Sequence, residues 1–306
     1  MAVERVEIVE VGPRDGLQNE AVEIGTGAKV AFITKLVEAG LRRLEVASFV
    51  HPKRVPRMAD AEEVLARLPR DSGARYIGLA LNRRGFERAC AAAVDEVNFA
   101  VVASDSFNLK NQGATMAETM DQWDRIANAA LGAGMPLGIT IGAAFGCPFE
   151  GEVPIGRVAA IAGRAADTGA VEIAIADTIG VADPPAVKRC LEAVREVTGD
   201  VPLRAHFHNT RNTGIANAYA AFEAGVRVLD ASCGGIGGCP FAPAATGNIP
   251  TEDLLYMLDR MGVETGVDLA ALIETSRWIE GRLGHTIPAM VSKAGPFPSG
   301  PVESAA

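Results

Sequence analysis

Eight strand-like apolar runs, each followed by a helix-like segment, alternate along the chain and limit its fold more than any single motif does. The runs begin near Val6, Arg43, Ala74, Glu96, Pro136, Val171, Pro202 and Val226. The helical patterns cover 27–40, 59–68, 83–93, 116–132, 156–168, 184–197, 213–224 and 251–262. Glycine stops close several of them, at Ala39-Gly40, Thr168-Gly169, Thr198-Gly199 and Ala224-Gly225. Asp183-Pro184 opens one helix with a cap and a proline, and Thr251-Glu252-Asp253 opens another with acidic first-turn residues. Strand–helix repetition of this kind predicts a parallel sheet, and eight units are the number that closes a (β/α)8 TIM barrel of the α/β class. A doubly wound open sheet is the alternative. An extra C-terminal helix is expected over 266–283, and the Pro/Gly-rich end, 296–306, reads as a loose tail. No low-complexity linker divides the chain, so one catalytic domain over 1–306 is expected.

Composition removes several classes of function. The chain has 306 residues, 48% hydrophobic and 22% charged, which is ample for a large core. A net charge of −9 and a pI near 5.1 argue against a general binder of nucleic acid or anionic membrane. The N-terminus enters a strand-like run directly, without a signal-peptide pattern, and no apolar stretch approaches the length of a bilayer span. Five scattered cysteines (Cys90, Cys147, Cys190, Cys233, Cys239) suit a reduced, cytoplasmic setting better than a disulfide framework.

A barrel concentrates chemistry just after its strands. Arg14 and Asp15 follow the first run; Glu45 lies in the second, with Ser48 at its end. Asn82 follows the third, Asp177 and Thr178 end the sixth, and His206, His208 and Asn209 end the seventh. Cys233 and the Gly234–Gly238 segment follow the eighth. Polar residues spread over most of the chain are thus expected at one mouth.

His206-Phe207-His208 is the sharpest local signal. On a strand, residues i and i+2 share a face, about 7 Å apart along the backbone, so both imidazoles enter one space. The pair either grips an ion or is simply hydrogen-bonded. An Asp or Asn in the same mouth would complete an N/O set suited to Mg²⁺ or Mn²⁺. Asp15, in Gly12-Pro13-Arg14-Asp15-Gly16, either caps a helix or supplies that carboxylate, and Asn248 either starts the last helix or supplies a carbonyl oxygen. Arg14 can stabilise an enolate or a carbonyl oxygen. Glu45 is a charge inside an apolar strand and needs a partner, for which Arg14 is the natural choice. Asp177 can position a hydroxyl or act as an acid/base. The run Gly234-Gly235-Ile236-Gly237-Gly238 is either a lid or a plain loop, and Cys239 at its end can move a proton on closure. Lys53, Arg54 and Arg57, with Arg83 and Arg84 at a helix start, form either a phosphate-binding rim or a solvated face.

Taken in order, the motifs resemble the 3-hydroxy-3-methylglutaryl-CoA lyase family, of the superfamily of metal-dependent lyases and Claisen-condensing barrels. They are Glu10–Glu20 (EVGPRDGLQNE), Ser48–Lys53 (SFVHPK), Gly146–Gly151 (GCPFEG), Asp177–Gly180 (DTIG), the His-Phe-His segment, and Gly234–Phe241 (GGIGGCPF) with Thr246-Gly247-Asn248. The resemblance spans roughly 5–283. It implies a (β/α)8 barrel that binds Mg²⁺ or Mn²⁺ through Asp15, His206, His208 and Asn248. It also implies retro-aldol cleavage of an acyl-CoA to acetyl-CoA and a keto acid. Arg14 would hold the enolate, Glu45 and Asp177 would be the active-site acids, and Asp177, with His206, would handle the hydroxyl proton. Cys239 would be the proton donor on the lid. Lys53, Asn82, Arg83 and Arg84 would meet the CoA, and a homodimer would be the expected assembly.

Three positions depart from the lyase pattern: Asn209 and Arg211 after the histidine pair, where the family carries aspartate and tyrosine, and Thr140, where it carries a tyrosine in the fifth strand. These departures allow a related acyl group such as citramalyl-CoA or a longer 3-hydroxy-3-substituted chain. Asn209 also looks like the condensing synthases, although the Gly-Gly-Ile-Gly-Gly-Cys loop is the lyase form. An amidohydrolase barrel would carry its His-x-His after the first strand and need more histidines than the two left over, His51 and His285.

Overall fold

The computed structural model describes residues 3–238 and 247–297. Its strands are β1 (Glu7–Glu10), β2 (Arg43–Ser48), β3 (Arg75–Ala80), β4 (Glu96–Val102), β5 (Leu137–Gly142), β6 (Gly146–Cys147), β7 (Gly151–Glu152), β8 (Ile173–Asp177), β9 (Leu203–Phe207) and β10 (Val228–Ala231). β6 and β7 form a small antiparallel hairpin. The other eight are parallel and close into a barrel in the order β1-β10-β9-β8-β5-β4-β3-β2. These eight are the expected runs, so the open sheet is excluded.

The helices are α1 (Thr26–Glu38), α2 (Ala61–Ala66), α3 (Arg83–Ala91), α4 (Asp105–Gln112), α5 (Met116–Ala133), α6 (Ile155–Asp167), α7 (Pro184–Thr198), α8 (Gly214–Glu223), α9 (Thr251–Arg260), α10 (Leu269–Leu283) and α11 (Val291–Ala294). The glycine stops work as read: Gly40, Gly169, Gly199 and Gly225 all take positive φ, a region glycine enters without a Cβ clash. The Asp183 side chain accepts from Ala186 N, with Pro184 in the first turn. The extra helix is α10. Residues 298–306 of the expected loose tail lie outside the described residues.

Several elements were not expected, the short α11 among them. α4 has no apolar period, but Ser104 caps it by accepting from Phe107 N, and Gly113 ends it at φ 77°. The hairpin β6–β7 turns beside Glu150, which accepts from Ser104 Oγ and Ser106 N at 2.8 Å each. Residues Gly12–Gly16 form a single turn of π-helix rather than a plain turn.

Apolar packing lies mainly between strands and helices, where Phe32, Leu36, Phe99, Trp123, Ile161 and Leu191 are buried. The barrel interior is different. Its separate apolar cluster is small, Val9, Val11 and Ile77 with Val228 packed beside them. Much of the rest is charge: Arg43 meets Glu96 and Glu172 through five hydrogen bonds of 2.6–3.1 Å. Buried charges persist only when paired, and these pairs fill the closed end of the barrel, leaving the mouth for the site.

Candidate active site

The site forms where β1, β9 and β10 meet. On β9, Ala176 of β8 is level with His206, and Asp177 with Phe207. Just beyond the strand, His208 bridges to Asn248 of the last loop, with Asn209 N donating to Gly247 O at 2.9 Å. That pairing carries Asn248 to the histidines. The π-turn after β1 brings Asp15 to the same place, and Asn248 Nδ2 donates to Asp15 Oδ2 at 2.9 Å.

One ligand atom from each of Asp15, His206 and His208 lies within 4.8 Å of the others. His206 Nδ1 is engaged by Asp230 Oδ2 at 3.1 Å, which leaves Nε2 as its ligand atom. The ring centroids of the two histidines are 5.2 Å apart. Asn248 is 1% exposed, and its Oδ1 accepts no hydrogen bond from the described residues. A buried acceptor without a donor is costly, and a cation would satisfy it. Two imidazoles, a carboxylate and an amide oxygen, with no thiolate among the described residues, therefore fit a hard or borderline divalent ion.

Electrostatics agree with ligation. Burial tends to raise the Asp15 carboxyl, but Arg14, then both histidines and Asn248, hold it at about 2, so it is ionised. Burial, with His206 beside it, pushes His208 down to about 4, so it is neutral. Burial also lowers His206, but its bond to Asp230 together with the negative charges of Asp230 and Asp15 outweighs that and leaves it raised.

Arg14 bridges the ligands and the wall. It pairs with Asp15 at 2.7 Å and with Glu45 as expected, and Glu45 accepts from Asn98 Nδ2 at 2.8 Å. These residues open on a cavity of about 320 Å³ lined by Arg14, Asp15, Glu45, Thr140, His206, His208 and Asp230, among others. Asp177 ends β8 but does not line this cavity. Its two oxygens accept from Val181 N and Ala182 N at 3.0 and 2.9 Å, and burial raises its pKa against those bonds.

The glycine run crosses the ligands closely. A Cβ on Gly237 would sit 2.8 Å from Asn248 Nδ2 and 3.0 Å from Asp15 O. Its root is held by two buried acids. Glu10 accepts from Cys233 N at 2.8 Å and Glu252 from Gly234 N at 3.0 Å. Cys239, expected as the lid thiol, lies outside the described residues.

The rim is less focused than the centre. Lys53, Asn82, Arg83 and Arg84 are exposed, and none lines the cavity. Asn82 caps α3 by accepting from Gly85 N, and Arg83 pairs with Glu87. Arg54, from the same basic cluster, does line the cavity. Two departures prove remote from it. Asn209 Oδ1 accepts from Gly214 N at 3.1 Å. Arg211 donates to Ile179 O and Gly180 O at 3.0 Å each. Thr140 does line the cavity, where Asn98 Nδ2 donates to it at 3.0 Å. Asp230 was missed, although it carries the signal that flagged Glu45: a carboxylate in an apolar strand, Val228-Leu229-Asp230-Ala231.

Comparison with known proteins adds independent findings. Over 304 residues the chain is 45% identical to the (R)-citramalyl-CoA lyase of Chloroflexus aurantiacus, covering 96% of each. It is 39% identical to a hydroxymethylglutaryl-CoA lyase of Bacillus subtilis, covering 93% of this chain and 95% of the relative. An HMG-CoA lyase of Acinetobacter baumannii, solved in complex with coenzyme A and 3-methylmalate, superposes with a TM-score of 0.93 at 39% identity, covering 97% of this chain and 98% of that one. The HMGL-like family model matches residues 5–279, which takes in the barrel, the Arg14–Asp15 turn, the histidine pair and Asn248, and the chain belongs to that family.

Proposed function

We propose that this barrel is a carbon–carbon lyase that splits a 3-hydroxy-3-methyl acyl-CoA carrying a second carboxylate into acetyl-CoA and a keto acid. The observation that carries this is the placement of Arg14 beside Asp15, His206 and His208 in one cavity. Asp15, His206, His208 and Asn248 would hold Mg²⁺ or Mn²⁺. Such an ion, when bound, raises the acidity of the substrate's tertiary hydroxyl and polarises its oxygen.

The chain's own groups do the rest. A wall carboxylate takes the hydroxyl proton. Glu45 lines the cavity and Asp177 does not, so Glu45 is better placed for this. As the carbinol oxygen becomes a ketone oxygen, the bond from the carbinol carbon to the thioester α-carbon breaks. Its electron pair passes to the α-carbon, giving the enolate of acetyl-CoA. Arg14, held in place by Glu45 and Asp15, stabilises that oxyanion. A proton on the glycine-rich loop, which we assign to Cys239, then quenches the α-carbon. The CoA tail would leave by the rim past Arg54, with Lys53, Arg83 and Arg84 further out.

Citramalyl-CoA and hydroxymethylglutaryl-CoA share the tertiary hydroxyl and methyl and differ by one methylene before the carboxylate. The 45% identity to a citramalyl-CoA lyase makes the shorter substrate a second reading on equal footing. Both should be offered to purified protein with Mg²⁺ or Mn²⁺ while acetyl-CoA, acetoacetate and pyruvate are measured. Acetyl-CoA in step with one keto acid is expected and names the substrate. No acetyl-CoA from either thioester would sink the proposal. A Claisen synthase, suggested by Asn209, would instead release free CoA thiol from acetyl-CoA and an oxo acid.

A further inference from the structure

Arg204 lies two residues before His206 on β9, so both side chains enter the barrel interior, Arg204 one layer deeper. Its side chain is 2% exposed, with Nε 3.3 Å from Glu172 Oε1 and 3.4 Å from Asp230 Oδ1. Nη2 donates to Thr140 Oγ1 at 3.4 Å, while Nε and Nη1 make no hydrogen bond among the described residues. Arg43 shows what a structural arginine does in this barrel. Its Nη1 and Nη2 donate to the two oxygens of Glu172 at 2.7 and 2.9 Å, and its Nε and Nη2 to Glu96. Glu172 is therefore already well paired.

The acid left for Arg204 is Asp230. Asp230 Oδ2 holds His206 Nδ1, whereas Oδ1 makes no hydrogen bond among the described residues. A buried carboxylate anchored by one oxygen can pivot unless the other is restrained. In this low-dielectric interior the guanidinium beside Oδ1 restrains it by charge.

We propose that Arg204 is a positioning residue for the metal centre: by restraining Asp230 Oδ1 it keeps Asp230 Oδ2 on His206 Nδ1, so that His206 Nε2 stays bare and aimed at the ion. This rests on the reading of His206 as a metal ligand. A purely structural Arg204 would affect folding stability but not the histidine tautomer.

The test uses the intact protein and two readouts. Nitrogen-15 NMR of the metal-free protein reports the tautomers of its four histidines. Electron paramagnetic resonance of added Mn²⁺ reports affinity. Arg204→Met should lose the Nδ1–H form of His206 and weaken Mn²⁺ binding about tenfold or more, as loss of an outer-sphere partner does. Arg204→Lys, which keeps the charge, should recover part of both. If Arg204→Met fails to fold, the double variant Arg204→Met/Glu172→Gln, with one fewer buried negative charge, should show the same two losses. An unchanged tautomer and unchanged affinity in the folded Met variants would overturn the proposal. Should the native protein bind no Mn²⁺, the metal reading fails, and the tautomer data still decide whether Arg204 governs the Asp230–His206 bond.

Discussion

Asn248 Nδ2 donates to Asp15 Oδ2 across 2.9 Å, joining side chains 233 residues apart. The bond links the turn after β1 to the loop before α9. It also leaves Asn248 Oδ1 buried without a donor among the described residues, in a side chain bonded to one of the three clustered candidate ligands. Asn248→Ala removes both the bond and that oxygen. Mn²⁺ affinity, read by calorimetric titration, should fall by at least the 10–100-fold that loss of an outer partner typically costs. The circular dichroism spectrum should not change.

Gly237 has φ 107°, and a Cβ there would press on Asn248 Nδ2 and Asp15 O. Gly237→Ala combines backbone strain with displacement of two candidate ligand residues, so it should lower metal affinity without touching any ligand chemically. Gly238→Ala, one position on and still at the cavity rim, is the comparison to run beside it by the same titration.

Arg43 is the counter-charge for both Glu96 and Glu172 at the closed end of the barrel. Removing one member of a buried ion cluster leaves the others uncompensated, a loss of about 3–5 kcal/mol. Arg43→Met should therefore shift the urea unfolding midpoint far down. A change within experimental error would show that water reaches this network.

Burial pushes the Glu10 carboxyl up to about 8, against the N–H of Cys233, the Thr251 hydroxyl and the N–H of Gly12, which pull it down. In the unfolded chain this group releases its proton near its ordinary value of 4.5. Between those pH values the folded state holds a proton that the unfolded state has lost. Stability due to Glu10 therefore falls as pH rises from 4.5 through 8, with a limiting slope of about 1.4 kcal/mol per pH unit. Glu10→Gln removes that slope. Urea unfolding at pH 5, 6, 7 and 8 should show the variant gaining on the native protein as pH increases. Parallel curves would mean the carboxylate is ionised throughout.

The fold was legible because the barrel repeats one signal eight times and glycine ends several of its helices. α4 escaped because its residues, Asp105–Gln112, lack an apolar period and are held by a serine cap and a glycine stop. At the site, the histidine pair, Asp15 and Arg14 could be read because strand geometry places them at one barrel mouth. Asp230 was equally readable by the rule applied to Glu45, a charge in an apolar strand. Arg204 carries the same signal in Leu203-Arg204-Ala205, but its work lies in which acid it faces, a tertiary fact. Asn209 and Arg211 drew notice by their identities, yet they bind loop backbone, and only Thr140 among the departures reaches the cavity.

The decisive measurement is the rate of acetyl-CoA release from citramalyl-CoA or hydroxymethylglutaryl-CoA by chelator-stripped protein as Mn²⁺ is added back. The rate should start at background and saturate with one ion bound per chain. His208→Ala, which removes a neutral imidazole ligand, should flatten the curve. Full activity in the stripped protein would contradict a metal-assisted cleavage built on Asp15, His206, His208 and Asn248.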